Sequence, residues 1–193
     1  AAEKSAELSF LVEEQRRIGG HRMGEGKVRT AVLLSGSGTT FQYIQEKIEA
    51  GELDAHTEVV VSSREGVKGL ERAAGFGIPA VAVPRAEYNC KYPGRAVEEF
   101  NRAILKTIEP YSVDLVLLAG FMSLLSPEFV HAYPHRIMNT HPALIPMFCG
   151  DQYYGDRVHK AVVEYGVKVS GCTIHFVDEQ YDNGPVILQK TVR

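Results

Sequence analysis

"VRTAVLLSGSGTTFQ", residues 28–42, carries the signal on which the fold is read. Its apolar run is short and bounded by glycine, the pattern of a buried strand. Phe41, Ile44 and Ile48 then fall on one helical face, and Gly51 supplies the stop. A strand that turns through two glycines into a helix leaves backbone N–H groups unobstructed by any Cβ, at the positive end of the helix. Three readings of that turn stand open: a seat for a small phosphate, a seat for a dinucleotide, or a tight turn alone. The dinucleotide fingerprint needs a third glycine where Phe41 stands and an acid where the second strand ends in "SSR", although Arg64 leaves NADP open. No phosphate-loop lysine is present, which removes ordinary ATP or GTP hydrolysis.

Strand and helix signals continue to alternate beyond this unit. "TEVVVSS" reads as a strand, "VKGLERAAGFG" as a helix and "PAVAVP" as a strand. Val97, Phe100, Ile104 and Ile108 line a helix that ends before Pro110. "VDLVLLAG" is the most apolar strand and the expected sheet centre. Ser126-Pro127 reads as an N-cap followed by proline at the first helical position. "RIMNT" is a further strand, "DRVHKAVVEYG" a helix, and "KVSGCTIHFV" and "PVILQKTV" are closing strands. Such alternation implies an α/β fold, a doubly wound, mostly parallel twisted sheet with helices on both faces. Ligands of such sheets bind beyond the carboxyl ends of the strands, where both "SGSGTT" and "NTHPALIP" fall.

The chain has 193 residues, enough for one domain, with 45% hydrophobic and 23% charged residues, a globular balance. Residues 1–26 read as an N-terminal extension, a polar helix with Leu8, Leu11 and Val12 on one face and then a glycine-rich link; residues 27–193 form the domain. A net charge of −3 gives no reason to expect nucleic acid or an anionic membrane as partner. No apolar stretch approaches the roughly 20 residues of a membrane span. Cys90, Cys149 and Cys172 are odd in number and form no C-x-x-C pair, so reduced thiols in a cytoplasmic compartment are expected.

In "RIMNTHPALIP" Asn139 and His141 alternate and so face one side as their strand leaves the sheet. Asp182 lies in an Asp-Asn-Gly-Pro turn before the last strand. An amide, an imidazole and a carboxylate at one crevice suit acyl transfer to an amine. The amide and a protonated imidazole donate to a developing oxyanion, and the carboxylate orients the imidazole and favours its charged form. Capping by Asn139 and plain turn chemistry at Asp182 are the open alternatives.

"SGSGTTFQ", "DLVLLAGFMSLLSPEFV", "RIMNTHPALIP" and "GCTIHFVDEQYDNGPVILQ" follow one another in this order. Together they resemble the phosphoribosylglycinamide formyltransferase family, over residues 28–193. The resemblance implies the formyltransferase variant of the doubly wound fold. It further implies transfer of a formyl group from 10-formyltetrahydrofolate, as co-substrate, to the amino group of glycinamide ribonucleotide in purine biosynthesis, without a metal. By position it makes Asn139, His141 and Asp182 the catalytic trio, with His141 as acid, Asn139 as oxyanion donor and Asp182 as the group that supports the charged histidine. Gly38, Thr39 and Thr40 match the loop for the substrate phosphate, with a departure at Thr40, where many members have asparagine. Met122, Ser123, Leu124 and Leu125 match the folate segment, as do Asp178, Glu179, Gln180, Tyr181 and Asp182, joined by Asn139; Arg95 matches an arginine near the folate. Members also carry a further strand and helix at the position where this sequence reaches Arg193. The implied partners are the two small molecules alone, for a cytoplasmic monomer or homodimer.

Three rival readings belong beside this one. A 10-formyltetrahydrofolate hydrolase shares the trio but generally has an N-terminal regulatory domain, for which 27 residues are too few, and a histidine where Pro142 stands. Methionyl-tRNA formyltransferase needs an RNA-binding domain and a more basic surface. A non-catalytic nucleotide-binding module is the rival of another class. His131 and His135 stand four apart, but Pro134 breaks their helix, so they read as surface histidines rather than metal ligands. His175 reads as interior or bordering the site, Tyr153 and Tyr154 at a helix start as core by default or else as the fringe of a pocket, and Cys149 as a loop thiol with nothing to activate it.

Overall fold

The protein is described by a computed structural model covering residues 26–150 and 153–192. The extension read over residues 1–26 lies outside the described residues apart from Gly26. Seven strands form one sheet: β1 (Val28–Leu34), β2 (Ala55–Ser62), β3 (Ala80–Ala82), β4 (Leu115–Leu118), β5 (Ile137–His141), β6 (Ser170–Phe176) and β7 (Val186–Val192). Their spatial order is β3-β2-β1-β4-β5-β6-β7, which puts the apolar β4 at the centre, as its sequence implies. β1 to β5 pair in parallel, while β6 is antiparallel to β5 and β7 to β6. The order reverses between β1 and β4, and the crevice of a doubly wound sheet opens at such a reversal.

Helices α1 (Thr39–Glu49), α2 (Lys68–Gly75), α3 (Arg85–Lys91), α4 (Ala96–Ile108), α5 (Pro127–Ala132) and α6 (Asp156–Tyr165) join the strands, with a 3-10 turn over Glu109–Tyr111. Strand residues alternate between two cores. Val32, Leu34, Val60 and Leu117 pack with Phe41, Ile44 and Ile48 of α1 on one face. Ala31, Leu33, Val61 and Val116 pack with Phe100, Ile104 and Ile108 of α4 and Phe129 of α5 on the other. Phe41, the residue that replaces the third glycine of a dinucleotide turn, is fully buried and meets Phe76 edge-on at 6.1 Å. A side chain of that size at the first turn fills the space in which a glycine would let helix and strand close up. Ser126 caps α5, its hydroxyl accepting from the Phe129 N–H at 3.3 Å.

Two local expectations need correction. α3 is a helix without a periodic signal in the sequence, because it buries no residue and carries no apolar stripe. Tyr153 and Tyr154 precede α6 rather than begin it, and at 37% and 44% exposure they are not core. Tyr153 instead packs edge-on against Phe148, and Arg157 lies over the Tyr154 ring.

Candidate active site

The glycine turn follows directly from the end of β1. Gly38 is the residue before α1, at φ +68°, and a Cβ built there would lie 2.6 Å from Gly69 Cα. The Gly69 N–H donates to Gly36 O at 3.1 Å, so the turn lies flat against the start of α2. Gln42 N–H makes a 2.9 Å bond to Gly38 O. The N–H groups of Thr39, Thr40 and Phe41, earlier in the helix, are therefore those a helix start leaves for an anion. Thr39 and Thr40 are exposed.

Neighbouring strands lie about 5 Å apart, so the turn after β1 and the end of β5, two spacings away, stand roughly 10 Å apart across β4. The loop leaving β4 is tied to the glycine turn by Ser35. Its N–H donates to Gly120 O at 3.1 Å, and its hydroxyl accepts from the Met122 N–H at 2.9 Å. Phe121 stacks on Phe100 at 6.2 Å. The buried amide of Asn101 donates to Leu124 O at 3.1 Å and to Val97 O at 2.8 Å. Along this loop Met122 is exposed, Ser123 and Leu124 are half-buried and Leu125 is buried, which makes it a shaped apolar strip.

At the end of β5 the Asn139, His141 and Asp182 side chains come together. His141 is buried; its Nδ1 lies 3.3 Å from Asp182 Oδ2 and its Nε2 lies 2.8 Å from Phe148 O. Both partners only accept, so the two contacts are satisfied together when each ring nitrogen carries a proton. Asn139 Nδ2 donates to Asp182 Oδ1 at 3.4 Å. His175, also buried, points Nδ1 at Phe176 O at 2.8 Å. Its Nε2 stands between Asn139 Nδ2 at 3.2 Å and Asp182 Oδ1 at 3.6 Å. That nitrogen accepts from the amide when unprotonated and donates to the carboxylate when protonated. Burial pushes the Asp182 carboxyl up, but the His175 contact, the Gly150 N–H at 3.1 Å and the charge of His141 outweigh it and hold the group below its ordinary value. Asp182 itself sits at φ +50°, a conformation that aspartate tolerates better than most residues.

The remaining expected residues are spread around this centre. Asp178 organises the turn before Asp182, accepting from Gln180 N–H and Asn183 Nδ2, both at 2.8 Å. Glu179 pairs with His131 at 3.0 Å, and Tyr181 is exposed. Arg95 stands at the start of α4 with a 73% exposed side chain, 4.0 Å from Glu99, so its contact with the centre is not formed here. His135 packs edge-on against Phe176, so His131, His135 and His141 face separate surroundings. No group of three His, Cys, Asp or Glu that could hold a metal occurs among the described residues. Cys149 donates to Pro146 O, and burial together with Asp182 pushes its thiol up, away from reactivity.

Sequence reasoning missed Thr173 and Gln189. Thr173 pairs with His141 across β5 and β6, and Gln189 with Thr173 across β6 and β7. The Thr173 hydroxyl donates to Ala143 O at 2.7 Å and accepts from Ile145 N–H and Gln189 Nε2, both at 3.0 Å. Gln189 Nε2 also donates to Ile145 O at 2.9 Å. The period-2 register between "NTH" and "GCTIHF" was the only signal for this row, and it depends on knowing that the two strands pair.

The formyl transferase family model matches residues 28–193. The chain belongs to the formyl transferase family. Among its relatives in that family is the chloroplastic phosphoribosylglycinamide formyltransferase of Arabidopsis thaliana, 39% identical over 165 residues, which are 86% of this chain and 55% of that protein. The trifunctional purine biosynthetic protein adenosine-3 of Gallus gallus is 37% identical over 96% of this chain and 18% of its own length. The chain therefore spans about half the plant relative and under a fifth of the avian one. Glycinamide ribonucleotide transformylase 1 from Symbiobacterium toebii has a similar structure, with a TM-score of 0.78 at 39% identity, over 90% of this chain and 76% of that one. Phosphoribosylglycinamide formyltransferase from Bacillus halodurans gives 0.75 at 34% identity, over 85% and 79%. The expected doubly wound α/β class is that of these formyl transferases.

Proposed function

We propose that this formyl transferase carries a formyl group from 10-formyltetrahydrofolate to the amino group of glycinamide ribonucleotide, a step of purine biosynthesis. The observation that carries the reading is the buried contact between His141 and Asp182, with Asn139 beside it, at the open end of the sheet. The names of the relatives, phosphoribosylglycinamide formyltransferase and glycinamide ribonucleotide transformylase, support the ribonucleotide as the formyl acceptor. The helix-start N–H groups behind Gly38, with Thr39 and Thr40, seat the ribonucleotide phosphate. The strip Met122–Leu125, the turn 178–182 and Arg95 accept the folate, which supplies the formyl group.

The amine attacks the formyl carbon about two strand spacings from the phosphate seat. Oxygen then gains negative charge. His141, backed by Asp182, turns its Nε2–H from Phe148 O to the departing folate nitrogen as that nitrogen's bond to the formyl carbon breaks. The ring takes up the proton that the attacking amine sheds. Asn139 turns its amide from Asp182 to the charged oxygen. Both donors are internally engaged in the structure described, so each exchanges one acceptor for another rather than losing a bond. Cys90, Cys149 and Cys172, none of them in a disulfide, support a reducing site of action such as the cytoplasm, although the Arabidopsis relative is by its name chloroplastic.

The test incubates the protein with 10-formyltetrahydrofolate, with and without glycinamide ribonucleotide, and follows formate and formylated product. Product that requires the amine is expected. Formate released without amine assigns a hydrolase instead, and no turnover in either arm refutes the reading.

A further inference from the structure

We propose that the Ser35 hydroxyl is a positioning group shared by both substrate subsites, so that one side chain sets the affinity for the ribonucleotide and for the folate together. The proposal rests on the subsites assigned under the proposed function. Ser35 is the first residue out of β1, and it is buried. Its backbone leads into the glycine turn, while its N–H and hydroxyl hold the other loop at Gly120 O and Met122 N–H. The hydroxyl also meets Ser63 Oγ at 2.6 Å, and Ser63 is buried at the end of β2. Ser63 in turn donates its N–H to Leu34 O and accepts from Arg85 N–H, both at 3.0 Å. Three strand ends and two loops thus meet at a pair of hydroxyls.

A hydroxyl offers one donor and two acceptor sites, and Ser35 commits one acceptor site to Met122 and one further site to Ser63, where either hydroxyl can donate. Removing it leaves the Met122 N–H without its partner, on the residue that opens the folate strip. It also removes the link from the start of the turn to Ser63, leaving the turn held by backbone bonds alone, Ser35 N–H to Gly120 O and Gly69 N–H to Gly36 O. Threonines 39 and 40 lie downstream of that anchor and belong to the ribonucleotide side alone. Met122 and Leu124 side chains belong to the folate side alone. Ser35 is the junction.

The experiment compares Ser35→Ala with Thr39→Ala and Met122→Ala in steady-state assays that vary each substrate separately, with thermal melts of all three. One lost bond of ordinary strength corresponds to about a three- to tenfold change in affinity. Ser35→Ala is expected to raise KM for both substrates by about that factor, with a smaller change in kcat. Thr39→Ala should raise only the ribonucleotide KM, and Met122→Ala only the folate KM. A Ser35→Ala effect confined to one substrate, or a lowered kcat with both KM values unchanged, overturns the proposal. If the two single-subsite variants leave their KM values unchanged, the substrate assignment fails independently of the Ser35 result. Should Ser35→Ala not fold, amide hydrogen exchange at Met122 in the unsubstituted protein decides. Adding glycinamide ribonucleotide alone should slow it severalfold, and an unchanged rate overturns the shared role.

Discussion

Asp182 Oδ2 lies 3.3 Å from His141 Nδ1, and the opposite edge of the same ring faces the carbonyl of Phe148 at 2.8 Å. The imidazole is thus held between two acceptors that both lie on loops, Phe148 after β5 and Asp182 between β6 and β7. Replacing His141 with Ala removes the proposed proton donor but leaves Asp182 with its Gly150 and Asn139 partners. Formyl transfer should fall by about 10²–10⁴-fold, the usual worth of a positioned acid. The melting temperature should move by only a few degrees. Near-normal turnover in a folded His141→Ala protein refutes the role of this histidine.

The carboxyl of Asp182 is held below its ordinary value, which ties it to stability at low pH. A group whose folded value is depressed binds its proton more readily in the unfolded chain. Its stabilisation is therefore complete above the unfolded carboxylate value of about 4 and is lost as pH falls through the lower folded value. Asp182→Asn should unfold more readily at neutral pH and should flatten the decline of stability below about pH 4. Denaturant melts of both proteins across pH 2 to 7 measure this directly. Parallel curves for the two proteins contradict the assignment.

Much of this architecture was legible because its period was strict. Residues 31–34 and Leu115–Leu118 are continuous apolar runs, and Phe41, Ile44 and Ile48 keep helical spacing, so the sheet centre and its first helix follow from burial alone. Asn139 and His141 were legible because alternate residues at a strand end share a face. The ties at Ser35 and Thr173 were not, because each joins segments whose proximity is a product of strand order, here β1 beside β4 and β5 beside β6. α3 escaped because it packs no residue fully into the core and so leaves no periodic trace.

Gly38 and Gly69 touch, and the two contacts differ in kind. A Cβ at Gly38 meets Gly69 Cα, a backbone atom that cannot step aside, and the residue also sits at φ +68°. A Cβ at Gly69 meets the methyl groups of Leu34 at 2.7 Å and Gly36 O at 3.0 Å, so part of that clash is with a side chain. Gly38→Ala should therefore cost more than Gly69→Ala, with left-handed backbone strain alone contributing about 1–2 kcal/mol. Gly38→Ala should also raise the KM for the phosphorylated substrate by tilting the turn. Equal melting temperatures for the two variants argue against the close approach.

The Thr173 hydroxyl has its full complement of three partners, two of them on the segment Ala143–Ile145 that leads from His141 towards Phe148. Thr173→Val keeps the shape of the side chain and strands the Ile145 N–H and the Ala143 carbonyl where little water reaches them. The loss should be about 2–3 kcal/mol, from bonds worth about 1 kcal/mol each and the penalty of leaving buried groups unpaired. At this chain length that is a fall in melting temperature of roughly 4–12 °C. Thr173→Ser retains the hydroxyl and should recover most of the stability. The segment carries Phe148 O, which faces His141 Nε2, so the valine variant should also lower kcat while the serine variant should not. A valine variant that melts like the original protein would mean that water replaces all three bonds, and the row from His141 to Gln189 would then have no part in placing the imidazole.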